Sequence, residues 1–285
     1  MAHSNYTTIT LNNWQEFKDL IKEFGENWAF RGQAHAGWGL SNAIERTDFI
    51  NSYSGIEADF VAEFQRGAKN YLTKEEAPLH LIEWLALMQH HGAPTRLLDL
   101  TKSPFIAAYF AFEYCSIKEG HCVSIWCLNI NHLKNKALEI LTKRFKEALQ
   151  QSKNLINESL FEKIFYENNQ QLVFPVEPFS MNRRYSLQQS VFVSTGTSQQ
   201  PFMEQLQFLR TDISKAVVKI EMPGCYKKEV LRELLQMNLH RASLFPDLDG
   251  YALSLKLRYD SMKTPEERKQ ETNQKRNDAN YRLIP

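Results

Sequence analysis

Apolar positions change their period several times along the chain. Trp14, Phe17, Ile21 and Phe24 recur at helical spacing behind Asn12 or Asn13, which predicts a capped N-terminal helix after a short apolar lead-in at Ile9 to Leu11. Trp28 to Phe30 reads as a short strand ending at Gly32. Phe60, Phe64, Ala68 and Tyr71 share one face of a helix from Glu57 to Leu72. Leu81, Trp84, Leu85 and Met88 share one face of another, from Leu81 to His91, which Gly92 and Pro94 stop. Ser103-Pro104 gives an N-cap and a proline at the first helical position. The helix it opens runs to about Tyr114. Its Phe105, Ile106, Ala108, Tyr109 and Phe112 predict burial on most sides.

Cys122 to Ile130 is apolar at both alternating sets of positions, which predicts a central strand. Leu133 to about Leu149 is an amphipathic helix with a basic tinge. Leu187 to Ser194 and Lys215 to Met222 read as strands, and Tyr226 to Leu239 as a helix with Val230, Leu231, Leu234 and Leu235 inward. A further helix follows Asp247-Leu248-Asp249-Gly250. Helices and strands mix without a regular βαβ period, so the expected class is α+β, with a split or antiparallel mixed sheet flanked by helices. One domain is expected over residues 1–262, followed by a polar, solvated tail over 263–285.

Composition adds limits. The 285 residues are 43% hydrophobic, 24% charged and 12% aromatic, which is enough apolar material for a packed core. A formal net charge of +1 argues against a non-specific polyanion binder, while leaving room for a local basic groove. The apolar run near Phe105 to Phe112 is far short of the ~18 residues a membrane span needs. No basic patch precedes an apolar stretch at the start, so a cytoplasmic protein with reduced thiols is expected. Cys115, Cys122, Cys127 and Cys225 form no CxxC pair and read as buried free thiols rather than a zinc site.

Four segments carry candidate chemistry. In Trp28-Ala29-Phe30-Arg31-Gly32-Gln33, an arginine at a strand end offers a planar fork for phosphate or carboxylate. The glycine beside it lets a ligand approach the main chain. The bland alternative is an arginine paired with a buried carboxylate. Gln89-His90-His91-Gly92-Ala93-Pro94-Thr95-Arg96-Leu97-Leu98-Asp99-Leu100-Thr101 packs hydrogen-bonding groups between two apolar helices. They must satisfy one another or face a cleft. Arg31, Arg96, Asp99 and Thr101 are expected around one such cleft. Adjacent histidines diverge by about 100° on a helix, so a shared metal ion is not expected. Arg183-Arg184 before Gln188-Gln189 reads either as a site or as solvated arginines on an edge strand. Asp247 reads as a helix cap with Phe245 as a staple. No GxSxG, P-loop, HExxH, EF-hand or GxGxxG signature occurs.

These segments, in this order, resemble the FRG domain family, named for its Phe-Arg-Gly motif. Phe30-Arg31-Gly32-Gln33 comes first, with Trp38, Leu40 and Arg46 downstream. Gln89 to Thr101 follows, running into Ala107-Ala108-Tyr109-Phe110-Ala111; then come Gln188-Gln189 and Leu244 to Gly250. The family often has tryptophan where Leu100 stands and glycine where Ser190 stands. The same layout is similar to the Arg-Ser-Glu class of ADP-ribosyltransferases, which implies an ADP-ribosyltransferase-like fold and NAD as substrate, with no metal.

That second resemblance implies roles. Arg31 would grip the dinucleotide phosphates or ribose, and Thr101 would take the place of the serine that positions the ribose. Gln188 or Gln189 would stand where the catalytic glutamate usually sits, with Asp99 as a substitute acid. Phe30, Gly32, Gln33, His90, His91, Thr95 and Arg96 would complete the NAD site. The acceptor would be a protein or nucleic acid, in a toxin or phage-defence setting. A nucleotide- or nucleic-acid-sensing module without turnover, and a metal-independent nuclease or phosphotransfer site using His90, His91 and the arginines, stay open as alternatives.

Overall fold

In the computed structural model, which describes residues 6–47, 53–146, 156–177 and 183–260, seven strands join in one mixed sheet. They are β1 (Thr7–Thr10), β2 (Trp28–Gln33), β3 (Leu97–Thr101), β4 (Cys122–Asn129), β5 (Val173–Val176), β6 (Ser190–Thr195) and β7 (Val217–Pro223). Their order is β1-β7-β4-β2-β3-β6-β5. β1 pairs with β7 in parallel, and the other neighbours are antiparallel.

The sheet is divided at its middle. β2 pairs with β4 along its whole length, from Trp28↔Asn129 to Gln33↔Ser124. β3 pairs with β6 from Leu97↔Ser194 to Thr101↔Ser190. Between β2 and β3 there is one in-register pair, Phe30↔Thr101. Four strands thus stand on one side and three on the other, joined at a single rung.

Helices flank both halves: α1 (Trp14–Leu20), α2 (Ile56–Ala68), α3 (Leu81–His90), α4 (Pro104–Glu113), α5 (Ile130–Arg144), α6 (Glu158–Glu167), α7 (Arg183–Leu187), α8 (Phe202–Gln205), α9 (Ile213–Ala216), α10 (Lys227–Gln236), α11 (Arg241–Leu244) and α12 (Leu248–Asp260). Asn13 caps α1 by accepting the Glu16 amide at 2.9 Å, and Ser103 caps α4 by accepting the Ile106 amide at 3.3 Å. None of the described helices is long and apolar enough to cross a membrane.

β4 is buried on both faces, as its sequence predicts. Val123, Ile125 and Cys127 join the core under α1, α4 and α10, while Trp126 and Leu128 join the core on the other side. Burial on both faces follows from the two cores that pack on opposite sides of the sheet. α4 is the central helix of the first core. Ala107, Ala108, Ala111 and Phe112 have no exposed surface, and Gly32 of β2 is where it touches the sheet. A Cβ on Gly32 would stand 1.8 Å from the Ala107 carbonyl oxygen and 2.6 Å from the Ala111 nitrogen. The glycine therefore admits the close approach of a helix backbone.

Several elements differ from the sequence reading. β1 forms where only a lead-in is expected, because the parallel pairing Thr7↔Val218 to Thr10↔Glu221 supplies its ladder from the far end of the chain. α5 begins at Ile130, since Asn129 accepts the His132 amide and caps it there. β6 starts only at Ser190. Arg183–Leu187 is helical, Gln189 takes a left-handed turn at φ 48°, and β6 is an interior strand between β3 and β5. Cys115 and Cys127 are buried, but Cys122 is half-buried and Cys225 exposed. The proposed tail over 263–285 lies outside the described residues.

Arg96 does not face the divide between the sheet halves. Its Nε donates to Glu57 Oε2 at 2.7 Å, its backbone amide to Glu57 Oε1 at 2.8 Å and its Nη2 to Asn168 Oδ1 at 3.1 Å. Its guanidinium lies 4.2 Å from the centre of the Phe165 ring. Both Arg96 and Glu57 are 1% exposed. This ion pair fastens α2 and the loop after α6 to the start of β3, and corrects the expectation that Arg96 belongs with Arg31.

Candidate functional site: the cleft at the divide of the sheet

Alternation along β2 sends Phe30 into the core under α4, where Gly32 also meets the helix. Arg31, between them, reaches across the divide. Its Nη1 donates to the carbonyl of Asp99 at 2.7 Å, while its Nε is sealed from solvent with no hydrogen-bond partner among the described residues. Burial pulls the guanidinium below its usual pKa, and the nearby Asp99 carboxylate works against that fall.

On β3, Leu98 and Leu100 enter one core and Leu97 another. Asp99 turns to the cleft, and its Oδ1 is also sealed and without a hydrogen-bond partner. A cavity of about 230 Å³ opens here, lined by Phe30, Arg31, Asp99, Phe110, Arg184 and Ser190, together with Gly32, Leu100, Thr101 and Gln188. Arg184, from α7, lies over the Phe245 ring at 4.5 Å, and its Nε is likewise sealed and unmatched.

Two expected contributors are held by the chain itself. The Thr101 hydroxyl donates to the Gln188 carbonyl at 2.7 Å and accepts the Ser103 amide at 3.1 Å. The Gln188 side-chain nitrogen donates to the Leu244 carbonyl at 3.0 Å. These bonds tie the turn after α7 to the end of β3 and to α11.

The remaining candidates stand outside the cavity. Gln33 spans Gly39 and Trp126: its nitrogen donates to the Gly39 carbonyl at 3.0 Å, and its oxygen accepts the indole N–H at 2.9 Å. Thr95 donates to Gln89 at 2.5 Å and accepts the Leu97 amide. Gln189 and His91 are exposed. His90 ends α3 with its ring 6.0 Å from Tyr185. Burial, then the Arg184 and His91 charges, hold its pKa down. Among the described residues no three His, Cys, Asp or Glu side chains gather as a metal-ligand set.

Arg184 was legible only as one of two arginines before a presumed edge strand, and Phe245 only as a staple. Phe245 also packs at near right angles to Phe110, at 6.1 Å and 88°, and carries Arg184 and Arg241 each at 4.5 Å. Asp247 does cap α12, with its Oδ1 accepting the Gly250 amide.

No curated protein and no solved structure matches the chain. Residues 26–119 match the FRG domain family, a span that holds Arg31, Asp99 and Thr101 and leaves Arg184 and Gln188 beyond its end. The two strands that part at the cleft, and the helix packed on Gly32, thus fall within one segment, residues 26–119, that matches the FRG domain family.

Proposed function

We propose that the cleft binds a nucleotide, and that its reaction is transfer of ADP-ribose from NAD to a protein or nucleic-acid acceptor, with Asp99 as the carboxylate. The observation that carries this reading is the sealed, unmatched Asp99 Oδ1 in the same cavity as Arg31 and Arg184. A buried acceptor in one cavity with two guanidiniums suits a ligand that brings hydroxyls to the carboxylate and phosphate oxygens to the arginines.

In the reaction, the bond between the ribose C1′ and the nicotinamide nitrogen breaks and its electron pair stays on nicotinamide, which leaves neutral. The acceptor's nucleophilic atom bonds to C1′ and releases its proton. Asp99 would hold a ribose hydroxyl and offset positive charge developing at C1′, a kind of stabilisation worth roughly 3–4 kcal/mol. A glutamine in that place adds no negative charge, and Gln188 is already tied to Leu244. The cavity of about 230 Å³ is smaller than the ~300–1,000 Å³ of most ligand pockets, so it suits part of a dinucleotide, the rest lying over the rim. Such an activity fits a toxin or phage-defence protein.

A second reading, nucleotide binding without turnover, is favoured by the commitment of Thr101 and Gln188 to chain partners. His90 and His91 lie outside the cavity, so a phosphotransfer site built on both has no geometry to support it. Calorimetric titration with NAD, alongside nicotinamide release in the presence of protein and nucleic-acid acceptors, tests the proposal. Heat and release from the wild type, with release lost and heat kept in Asp99→Asn, is the expected result. Heat without release would select the binding reading, and neither heat nor release would defeat both.

A further inference from the structure

We propose that Arg184, laid over Phe245, is the second arm of an anion clamp with Arg31, and that the clamp together with Asp99 selects the ribose-phosphate part of the ligand. This rests on the reading that the cleft is the ligand site.

Arg241 provides the internal comparison. It lies over the same Phe245 ring at the same 4.5 Å, yet its Nη1 meets Glu113 Oε1 at 2.6 Å and the Tyr114 hydroxyl at 2.8 Å. Arg184 has no carboxylate within ion-pair distance among the described residues; the Nε of both arginines lacks an acceptor, so the difference between them is the carboxylate. Two guanidiniums on one ring repel each other, and only one is neutralised. Phe245 is held in place for this task. Leu244, just before it, gives its carbonyl to Gln188, and the Phe110 ring packs against it at near right angles. A cation stacked on an aromatic face keeps its N–H edge free for an anion.

The unmatched atoms define the ligand. Arg31 Nε and Arg184 Nε are donors needing acceptors, while Asp99 Oδ1 is an acceptor needing a donor. A bare anion would match the arginines and be repelled by Asp99. A neutral sugar would match Asp99 and leave the arginines unmet. A sugar phosphate presents both kinds of group within a few bonds, and its size suits a small cavity better than a whole dinucleotide. Phe110, which also lines the cavity, offers an apolar wall to the sugar carbons.

The test is calorimetry on the full chain with ribose 5-phosphate, ribose, inorganic phosphate and ADP-ribose. Ribose 5-phosphate and ADP-ribose should bind, and ribose and phosphate at least tenfold more weakly. Arg184→Gln should weaken ribose 5-phosphate at least tenfold with an unchanged melting temperature. Arg184→Lys should do nearly as much, because a point charge does not reproduce the stacked fork. Phe245→Leu should weaken it less, through loss of the platform. Phosphate binding as tightly as ribose 5-phosphate, equal affinity in Arg184→Gln, or no binding of ribose 5-phosphate and ADP-ribose would each overturn the clamp. Nicotinamide release from NAD unchanged in Arg184→Gln would overturn it and leave the transferase reading standing. Arg184-dependent ribose 5-phosphate binding without nicotinamide release would do the opposite.

Discussion

Arg31 Nη1 stands 2.7 Å from the Asp99 carbonyl, so the arginine of the Phe-Arg-Gly segment bridges two sheet halves that share one in-register pair between β2 and β3. The same guanidinium serves the fold through Nη1, lines the cavity, and keeps a sealed, unmatched Nε. Removing it should therefore have two separable effects.

Arg31→Ala should lower stability by roughly 0.5–1.5 kcal/mol, the usual net value of one hydrogen bond. It should weaken NAD binding by roughly 2–5 kcal/mol, a factor of tens to thousands. Arg31→Lys should recover little of the binding. Urea midpoints and calorimetric titration on the same preparations separate the two. Undiminished NAD binding in Arg31→Ala would show that this arginine serves only the fold.

Gly32→Ala should be among the most damaging single-methyl changes in the chain. The added carbon meets helix backbone at 1.8 Å, which no side-chain rotation relieves. A loss of more than about 2 kcal/mol is expected, at the upper end of overpacking effects. Gly25→Ala, with nothing within 4 Å of the new carbon, is the control and should change the urea midpoint little. Similar midpoints for the two variants would contradict the close approach of α4.

Glu57→Ala strands the Arg96 charge in a site that is 1% exposed and should cost roughly 3–5 kcal/mol. Because this pair lies away from the cleft, the folded fraction should bind NAD with wild-type affinity. Replacing both partners with apolar residues should recover much of the loss. The measurements are denaturant unfolding, and titration under conditions where the variant is folded.

His90 gives the pH dependence a sign. Its folded pKa is depressed, first by burial, then by Arg184 and His91, with Asp247 opposing. The unfolded chain therefore takes up the proton more readily than the folded one. The His90 contribution is intact above the unfolded value of about 6.5 and is lost as pH falls from there through the depressed folded value. Unfolding free energies of wild type and His90→Asn from pH 7.5 to pH 5 should converge at the acid end. Arg184→Gln should raise the His90 pKa, as read by NMR titration. No movement of that resonance would separate the two residues.

The sequence by itself determined the elements whose evidence is local. The Ser103-Pro104 start of α4, the doubly apolar β4 and the Asp247 cap all depend on residues within a few positions of one another. The Phe30-Arg31-Gly32 and Gln89 to Thr101 segments were also enough to point to the FRG domain family. What the tertiary structure decided is which polar residue meets which. Arg96 and Asp99 sit three residues apart in one polar run, yet Arg96 turns to Glu57, 39 positions earlier, and Asp99 to the cleft. Strand alternation sends such neighbours to opposite faces, but only the order of the sheet says what waits on each face. β1 shows the same limit, since its ladder comes from β7, some two hundred residues away. Arg184 and Phe245 belong to the cleft for that reason too. Their meeting depends on α7 and the end of α11 packing together, a long-range contact that no local pattern of apolar and polar residues encodes.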